Sequence, residues 1–182
     1  MNLAELDGIA YGAGPGAFTG LRVACGIAQG LAFPHRLPVV PVVSLAAMAW
    51  AATRHSGDKV VALLDARMSE VYYAHYERDD DGLHIVQEPA VAHPDNVVLP
   101  DSAGWWVVGN ALSAYPQLEA RVRDVCVGQI PDALPRAGAI AELGARLLMN
   151  GAGRPAEEAW PLYIRDKVAL TVAERLARGG KA

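Results

Sequence analysis

The chain has 182 residues, a mass of 19.3 kDa and a formal net charge of −4 at pH 7. At ~150 residues per domain, this length fits one domain or two small ones. Hydrophobic residues make up 52% and charged residues 20%, which supports a buried core and argues against disorder. Proteins that bind a nucleic-acid backbone without a partner are usually basic. We therefore expect this acidic chain to need a partner protein if it acts on nucleic acid.

The cysteine content and the hydropathy pattern exclude further classes of protein. Two cysteines, Cys25 and Cys126, without a CxxC spacing exclude a disulfide scaffold and a cysteine-rich zinc site, and they favour a reducing compartment. No window of ~18 apolar residues predicts a membrane span, and the first residues lack the pattern of a signal peptide. We therefore expect a cytoplasmic protein with no membrane partner.

The first third of the chain predicts alternating strands and helices. An apolar run at residues 8–11 predicts a strand, and the glycines that follow predict a loop at residues 12–16. A helix is expected at residues 18–33, where Pro34 ends it. Residues 39–43 predict a buried strand, and Ser44 is expected to cap a helix that continues to about residue 53.

The rest of the chain predicts a second, longer series of elements. We expect strands at residues 60–64, 70–78, 83–87, 106–108 and 125–127, the second of them half-exposed. Helices are expected after Pro94, at residues 111–120 and at residues 135–149. Thr171 and Glu174 predict a capping box for a last short helix.

The element order indicates a duplicated fold. Residues 57–182 follow the order β-β-β-α-β-α-β-α, and residues 1–56 follow β-α-β-α, which matches the last part of the same unit. The prediction is an α/β chain of two subdomains, 1–56 and 57–182, in which the opening β-β-β-α of the first copy is absent.

The glycine loop is the first candidate site. It contains Gly12, Gly14, Pro15 and Gly16, and Thr19 follows at the start of the predicted helix. A helix N-terminus of this kind can bind an anion through free backbone N–H groups. The loop has neither the lysine of a P-loop nor the spacing of a dinucleotide fingerprint, so a tight turn without a ligand remains the alternative.

The helix after this loop is the second candidate site. It is apolar nearly all round, which requires burial on nearly all sides, and small residues recur along it at every fourth position. We predict an intermolecular helix–helix interface, although another helix of the same chain could also cover it. The predicted interface residues are Phe18, Gly20, Leu21, Arg22, Ala24, Cys25, Ala28, Gln29 and Ala32.

Three motifs resemble the bacterial TsaB family. They are GPGAFTGLRV at residues 14–23 followed by IAQGLA at residues 27–32, ALLDARMSEVY at residues 62–72, and PLYIRD at residues 161–166. The resemblance implies a duplicated actin-like, ribonuclease-H-like fold. It also implies a non-catalytic scaffold that pairs with the transferase TsaD, with the ATPase TsaE joining, to make threonylcarbamoyladenosine in tRNA. Family members begin with a strand, hairpin and helix that this chain does not show.

The remaining candidate residues do not predict a catalytic activity for this chain. The five histidines are scattered, so no metal site and no catalytic residue is predicted. Asp65, Arg67 and Glu70 predict a turn fixed by an Asp65–Arg67 or an Arg67–Glu70 ion pair, which is favoured over a carboxylate pair for acid–base chemistry. No cofactor is expected, and weak nucleotide binding is expected only with a partner. tRNA contact is expected to be indirect. A basic tail with Arg165, Lys167, Arg175, Arg178 and Lys181 could reach phosphates beside a partner, but a solvated terminal helix is the favoured interpretation.

Two other functions stay open at this point. One is a stand-alone nucleotide-hydrolysing or glycoprotease-like enzyme of the same superfamily. The other is a homodimeric interaction module. One apolar helix face would serve a homodimer as well as a TsaD heterodimer, so the sequence does not separate these two.

Overall fold

The first sheet is a parallel pair of strands. The computed structural model describes residues 2–165, and in it β1 (Ile9–Gly14) pairs in parallel with β2 (Val39–Val43). The valine-rich sequence of β2 suits a buried strand. Pro41 is tolerated because β2 has β1 as its single strand partner within residues 2–165, and proline is accepted in such edge strands.

The first strand is longer than the sequence predicts. The expected loop begins at Gly12, whereas β1 continues to Gly14. The reason is the pairing with β2, in which Gly12 lies opposite Val42 and Gly14 opposite Val43, with a register irregularity between them. The connection to the next helix, α1 (Phe18–Ala32), is therefore only three residues long.

The second sheet has five strands, in the order β5-β4-β3-β6-β7. β3 lies at its centre, pairing antiparallel with β4 and parallel with β6. The bounds are β3 (Lys59–Asp65), β4 (Val71–Arg78), β5 (Leu83–Ala92), β6 (Trp105–Val108) and β7 (Cys126–Ile130). The parallel pair β1–β2 thus repeats the arrangement of β6–β7, as the predicted duplication requires.

The expectation of a half-exposed β4 is wrong. Its first six residues are all buried, on both faces of the sheet. Tyr72 and Tyr76 pack with α2, whereas Tyr73 packs on the opposite face with Val97 and Trp105. Tyrosine is amphipathic, so its recurrence in the sequence does not distinguish a buried face from an exposed one.

The helices are α2 (Ser44–Ala52), α3 (Ala111–Ala114), α4 (Pro116–Val122) and α5 (Ala137–Met149), and short 3₁₀ turns lie at Leu3–Glu5, Phe33–His35, Pro94–Asn96 and Ala156–Glu158. Ser44 is the first residue of α2 and forms no capping hydrogen bond, because Val43 holds the N-cap position. Pro135 precedes α5 instead of lying in its first turn. The predicted Thr171–Glu174 capping box lies outside the described residues.

The core surrounds α2. One side of this helix, with Leu45 and Met48, packs on β3 and β4. Its other side, with Ala47 and Trp50, packs on β2 and on Leu143 of α5. Because α5 also packs on β1, the second half of the sequence contributes a helix to the first sheet. The subdomain boundary between residues 56 and 57 stays a prediction.

Candidate partner-binding site

One side of α1 belongs to the chain's own core. Leu21, Cys25, Ala28 and Ala32 are its buried residues. Cys25, Ala28 and Ala32 form a cluster with buried residues of β1 and β2, including Tyr11. Burial also raises the pKa of the Cys25 thiol. These four residues were predicted to lie in a partner interface; the structure corrects this, because their spacing places them on the side that faces β1.

The opposite side of α1 is apolar and exposed. The exposed fractions of Val23, Ile27 and Leu31 are 53%, 57% and 38%. Gly26 and Gly30 lie between them, and a methyl group added at either position would meet nothing within 4 Å. We call Val23, Gly26, Ile27, Gly30 and Leu31 the outer face of α1. Among residues 2–165, nothing covers it.

The other predicted interface residues lie along the edges of this helix. Phe18 and Arg22 contact Tyr163, and the Gln29 side chain donates a hydrogen bond to the Ala159 carbonyl over 3.3 Å. Gly20 is exposed and Ala24 is partly exposed. Their contact with a partner stays a prediction.

The 159–165 segment lies against α1 and the glycine loop. The Leu162 N–H donates to the Ala13 carbonyl over 2.7 Å. At Gly14, with φ +125°, an added Cβ would lie 2.7 Å from the Leu162 carbonyl oxygen. Only glycine fits this backbone conformation and this close approach. For the rest of the predicted loop site, Gly12, Pro15, Gly16 and Thr19, anion binding stays a prediction.

The same segment also buries a tyrosine of β1. Tyr11 donates its hydroxyl hydrogen bond to the Trp160 carbonyl over 3.1 Å. Burial, with a smaller contribution from Cys25, raises the pKa of Tyr11 to about 12. The hydroxyl therefore stays protonated and serves as a donor that fixes the segment.

At its far end, the 159–165 segment reaches the second sheet. Arg165 donates from Nη2 to the Ala66 carbonyl over 3.0 Å and forms an ion pair with Glu70. Its guanidinium also lies over the ring of Tyr72, with 5.8 Å between Cζ and the ring centroid. Arg165 thus joins the 159–165 segment to the turn between β3 and β4.

That turn has an unusual backbone. Arg67, Met68 and Ser69 all have positive φ, between 55° and 60°, in the left-handed region that non-glycine residues rarely adopt. Asp65 holds the turn: its carboxylate accepts the Arg67 N–H over 2.8 Å and pairs with the Arg67 guanidinium at 3.1 Å. The predicted Asp65–Arg67 ion pair is confirmed, and Glu70 pairs with Arg165 instead of Arg67.

A tyrosine from the α3–α4 junction supports the turn. The Tyr115 hydroxyl donates to Asp65 Oδ1 over 2.9 Å and also lies 3.3 Å from the Glu70 carbonyl. Burial and this hydrogen bond raise the pKa of Tyr115. Asp65 is therefore committed to holding the turn, which favours a structural role for this carboxylate.

The described residues were compared with two kinds of site, a metal centre and a membrane span. Within residues 2–165, no three His, Cys, Asp or Glu side chains lie close enough together to hold a metal ion. In the same part of the chain, no helix is both long and apolar enough to cross a membrane. The most distinctive surface is the outer face of α1, together with the exposed side chains of the 159–165 segment.

Comparison with known proteins decides the family. The family described as "TsaD: tRNA N6-adenosine threonylcarbamoyltransferase" matches residues 1–171. The tRNA threonylcarbamoyladenosine biosynthesis protein TsaB of Escherichia coli K12 is 38% identical, over 92% of this chain and 74% of that protein. The chain belongs to the TsaB family. TsaB of Haemophilus influenzae is 36% identical, with the same coverage of both chains.

Solved structures agree with the TsaB assignment. A crystal structure of a Pseudomonas aeruginosa protein, described as similar to peptidase YeaZ, has a TM-score of 0.81 and 36% identity, covering 90% of this chain and 76% of that one. YeaZ from the same organism has a TM-score of 0.80, also at 36% identity, covering 89% and 76%. The family resemblance and the actin-like α/β fold predicted from the sequence are confirmed.

Sequence reasoning missed two features of this TsaB-family site. The PLYIRD motif is recognisable as a family signature, but its contacts with Ala13 and Ala66 were not expected. The left-handed turn at residues 67–69 was missed as well, since none of its residues is glycine or asparagine. The DAR sequence at residues 65–67, in which a carboxylate can bind a backbone N–H two positions later, was the one available signal.

Proposed function

We propose that this chain is a non-catalytic scaffold subunit in the biosynthesis of threonylcarbamoyladenosine in tRNA. In this proposal it binds the transferase TsaD through the outer face of α1, and the ATPase TsaE joins the pair. The names of the TsaB relatives, at 36–38% identity, support the pathway. The family description, which names TsaD, supports a partner of related fold.

The exposure of the outer face is the observation that carries this proposal. Burying a large aliphatic side chain contributes roughly 1.5–3 kcal/mol of stabilising free energy. While Val23, Ile27 and Leu31 remain exposed to water, much of this free energy is not gained. Glycine in a helix interior costs about 0.8–1.0 kcal/mol relative to alanine. Since a methyl group at Gly26 or Gly30 meets no neighbour, packing within residues 2–165 does not explain them. The close approach of a partner helix explains these two glycines.

The non-catalytic part of the proposal rests on the sequence. It has no Gly-Lys-Ser/Thr loop, no paired histidines and no serine in a G-x-S-x-G context. We expect no ATP hydrolysis and no threonylcarbamoyl transfer by the purified chain alone. Steady-state turnover that disappears when one side chain of this protein is changed would contradict this expectation.

The deciding experiment compares two isoleucines. Ile27 on the outer face is 57% exposed, and Ile85 on β5 is 52% exposed. We expect Ile27→Arg to weaken binding to TsaD at least tenfold, because the charge would be buried in an apolar interface. Ile85→Arg should leave the affinity unchanged. Titration calorimetry measures both, and circular dichroism checks that each variant is folded.

The outcomes separate the competing partners. If both variants bind TsaD as the unmodified chain does, the outer face is not the TsaD interface. If Ile27→Arg converts a dimer into a monomer in light scattering but leaves TsaD binding intact, the outer face is a homodimer surface instead.

A further inference from the structure

Three planar side chains pack together beside the N-terminus of α1. The Phe18 and Tyr163 rings are stacked, with 5.6 Å between centroids and 28° between planes. The Arg22 guanidinium lies over the Phe18 ring at 3.8 Å, and its Nε donates to the Tyr163 hydroxyl over 2.9 Å. Phe18 is 44% exposed and Tyr163 is 46% exposed. We call these three residues the aromatic cluster; its planar groups are held in place while remaining accessible.

Arg165 connects the segment that carries Tyr163 to the left-handed turn. Arg165 follows Tyr163 by two positions and contacts the Met68 sulfur at 3.7 Å, so the left-handed turn is a neighbour of the cluster. The turn exposes 87% of the Arg67 side chain. Within residues 2–165, no carboxylate pairs with Arg22, whereas Arg67 and Arg165 each have one such partner. Arg22 and Arg67 are thus the arginines that this surface exposes, whereas the Arg165 side chain is only 14% exposed and holds the turn in place.

The left-handed turn gives this surface a fixed shape. Residues held in sparsely populated backbone regions persist only where the surrounding structure enforces them, and they concentrate at functional sites. Here Asp65, Tyr115 and Arg165 enforce the conformation. As a result, Arg67 projects from a constrained backbone.

We propose that the aromatic cluster and Arg67 contact unpaired nucleotides of RNA. Aromatic rings and arginine planes are the groups on which single-stranded bases stack, and guanidinium groups bind the phosphates. The outer face of α1 carries no charged residue, which suits a protein partner, whereas the aromatic cluster combines rings with cations. This inference rests on the proposed function, in which tRNA is the substrate, and it replaces the expectation of purely indirect tRNA contact.

The acidic character of the chain limits the strength of this contact. We expect a Kd for the isolated protein on the order of 10⁻⁵ M near physiological salt, within the range of non-specific nucleic-acid binding. Affinity should fall as salt rises, because phosphate contacts release counterions. Weak binding of this kind suits a subunit that contributes to an RNA site completed by TsaD.

Fluorescence anisotropy with a labelled RNA hairpin that has an unpaired loop tests the proposal. We expect Arg22→Glu and Tyr163→Ala each to weaken binding about tenfold, through loss of a phosphate contact and of base stacking. The matched control is Arg36→Glu, which makes the same charge change at an exposed arginine just beyond the other end of α1. It should leave binding unchanged. A blunt duplex of the same RNA should bind less well than the hairpin.

Three results would overturn the proposal. They are no salt-dependent binding of the hairpin, an equal loss with Arg36→Glu, and unchanged RNA binding by Arg22→Glu and Tyr163→Ala when these two variants lose TsaD binding instead. The last result would make the aromatic cluster a protein contact and leave the proposed function standing. Conversely, failure of Ile27→Arg to affect TsaD would refute only the outer-face interface. If Arg22→Glu or Tyr163→Ala fails to fold, Arg22→Gln and Tyr163→Leu keep the packing and must still weaken RNA binding.

Discussion

Helices α1 and α2 have similar apolar compositions but different surroundings. Both are almost entirely apolar or small in composition, and each follows a strand of the first sheet. In α2, six of nine residues are buried, because β3 and β4 lie on one side and β2 and α5 on the other. In α1, four of fifteen residues are buried, and all of them lie on one side.

The difference shows what an apolar composition can and cannot indicate. A helix that is apolar all round must be covered on all sides, but the cover can come from the same chain or from another molecule. For α2 the cover is intramolecular. For α1 it is incomplete within residues 2–165, and the glycines of the outer face distinguish the two helices better than their share of apolar residues does.

The largest expected effect contrasts the two sides of α1. Ala28 is 2% exposed, and Ala28→Glu should destabilise the fold by about 3–5 kcal/mol, because it leaves an unpaired charge in the core. Gly30→Glu, on the outer face, should change stability by less than about 1 kcal/mol. Urea denaturation followed by circular dichroism measures both. Equal destabilisation by the two variants would show that the two sides of α1 are buried to the same extent in solution.

The next contrast compares leucines in the two helices. Leu45 of α2 is fully buried, whereas Leu31 of α1 is 38% exposed. Leu45→Ala should cost about 3 kcal/mol through lost burial and the cavity left behind. Leu31→Ala should cost less than about 1 kcal/mol in the isolated chain. The free energy of unfolding of each variant is the measurement, and a costly Leu31→Ala would indicate that α1 is already covered in solution.

The pH dependence of stability tests burial in the second sheet, where His75 lies buried among aromatic residues. Burial lowers the pKa of His75 below its usual 6.5, although the hydrogen bond to the Val98 carbonyl opposes this. As pH falls below 6.5, the unfolded chain takes up a proton before the folded chain does, so stability falls by up to about 1.4 kcal/mol per pH unit. Melting temperatures between pH 7.5 and pH 5 should therefore decrease more for the unmodified protein than for His75→Phe. Identical pH profiles would contradict this role.

The smallest expected effect is a gain in stability. Gly26→Ala should stabilise the isolated chain by roughly 0.5–1 kcal/mol, because alanine is the better helix former and its methyl group meets open space. The same change should weaken TsaD binding if a partner helix approaches the outer face closely. Thermal melts and calorimetric titrations of this one variant should therefore change in opposite senses. A stabilised variant with unchanged affinity would place the partner helix further away.

The sequence predicted most of the second sheet correctly, and physical reasons explain where it failed. Continuous apolar runs such as residues 60–64 identify central strands because both faces are buried. Gly12 and Gly14 were expected in a loop, but pairing with β2 overrides the low strand propensity of glycine. The buried side of α1 was not predictable, because nearly every position of the helix is apolar or small and no polar stripe marks the exposed side.

The candidate site was predictable only in part. The helix and the glycine loop were identified, and the three family motifs located the chain's distinctive segments. The aromatic cluster joins residues 18 and 22 to residue 163, and no local pattern predicts a contact across so long a stretch of sequence. The left-handed turn depends on Tyr115 and Arg165, which lie far from it in the chain.

The 159–165 segment also has a mechanical consequence. Many enzymes work by opening and closing two lobes around a hinge, and their catalysis depends on that motion. Here one short stretch of chain is hydrogen-bonded to Ala13 of the first sheet by Leu162 and to Ala66 beside the second sheet by Arg165. The 159–165 segment therefore adds a second connection between the two sheets to the one that the packing of α2 provides. Separation of the two sheets would require breaking both connections.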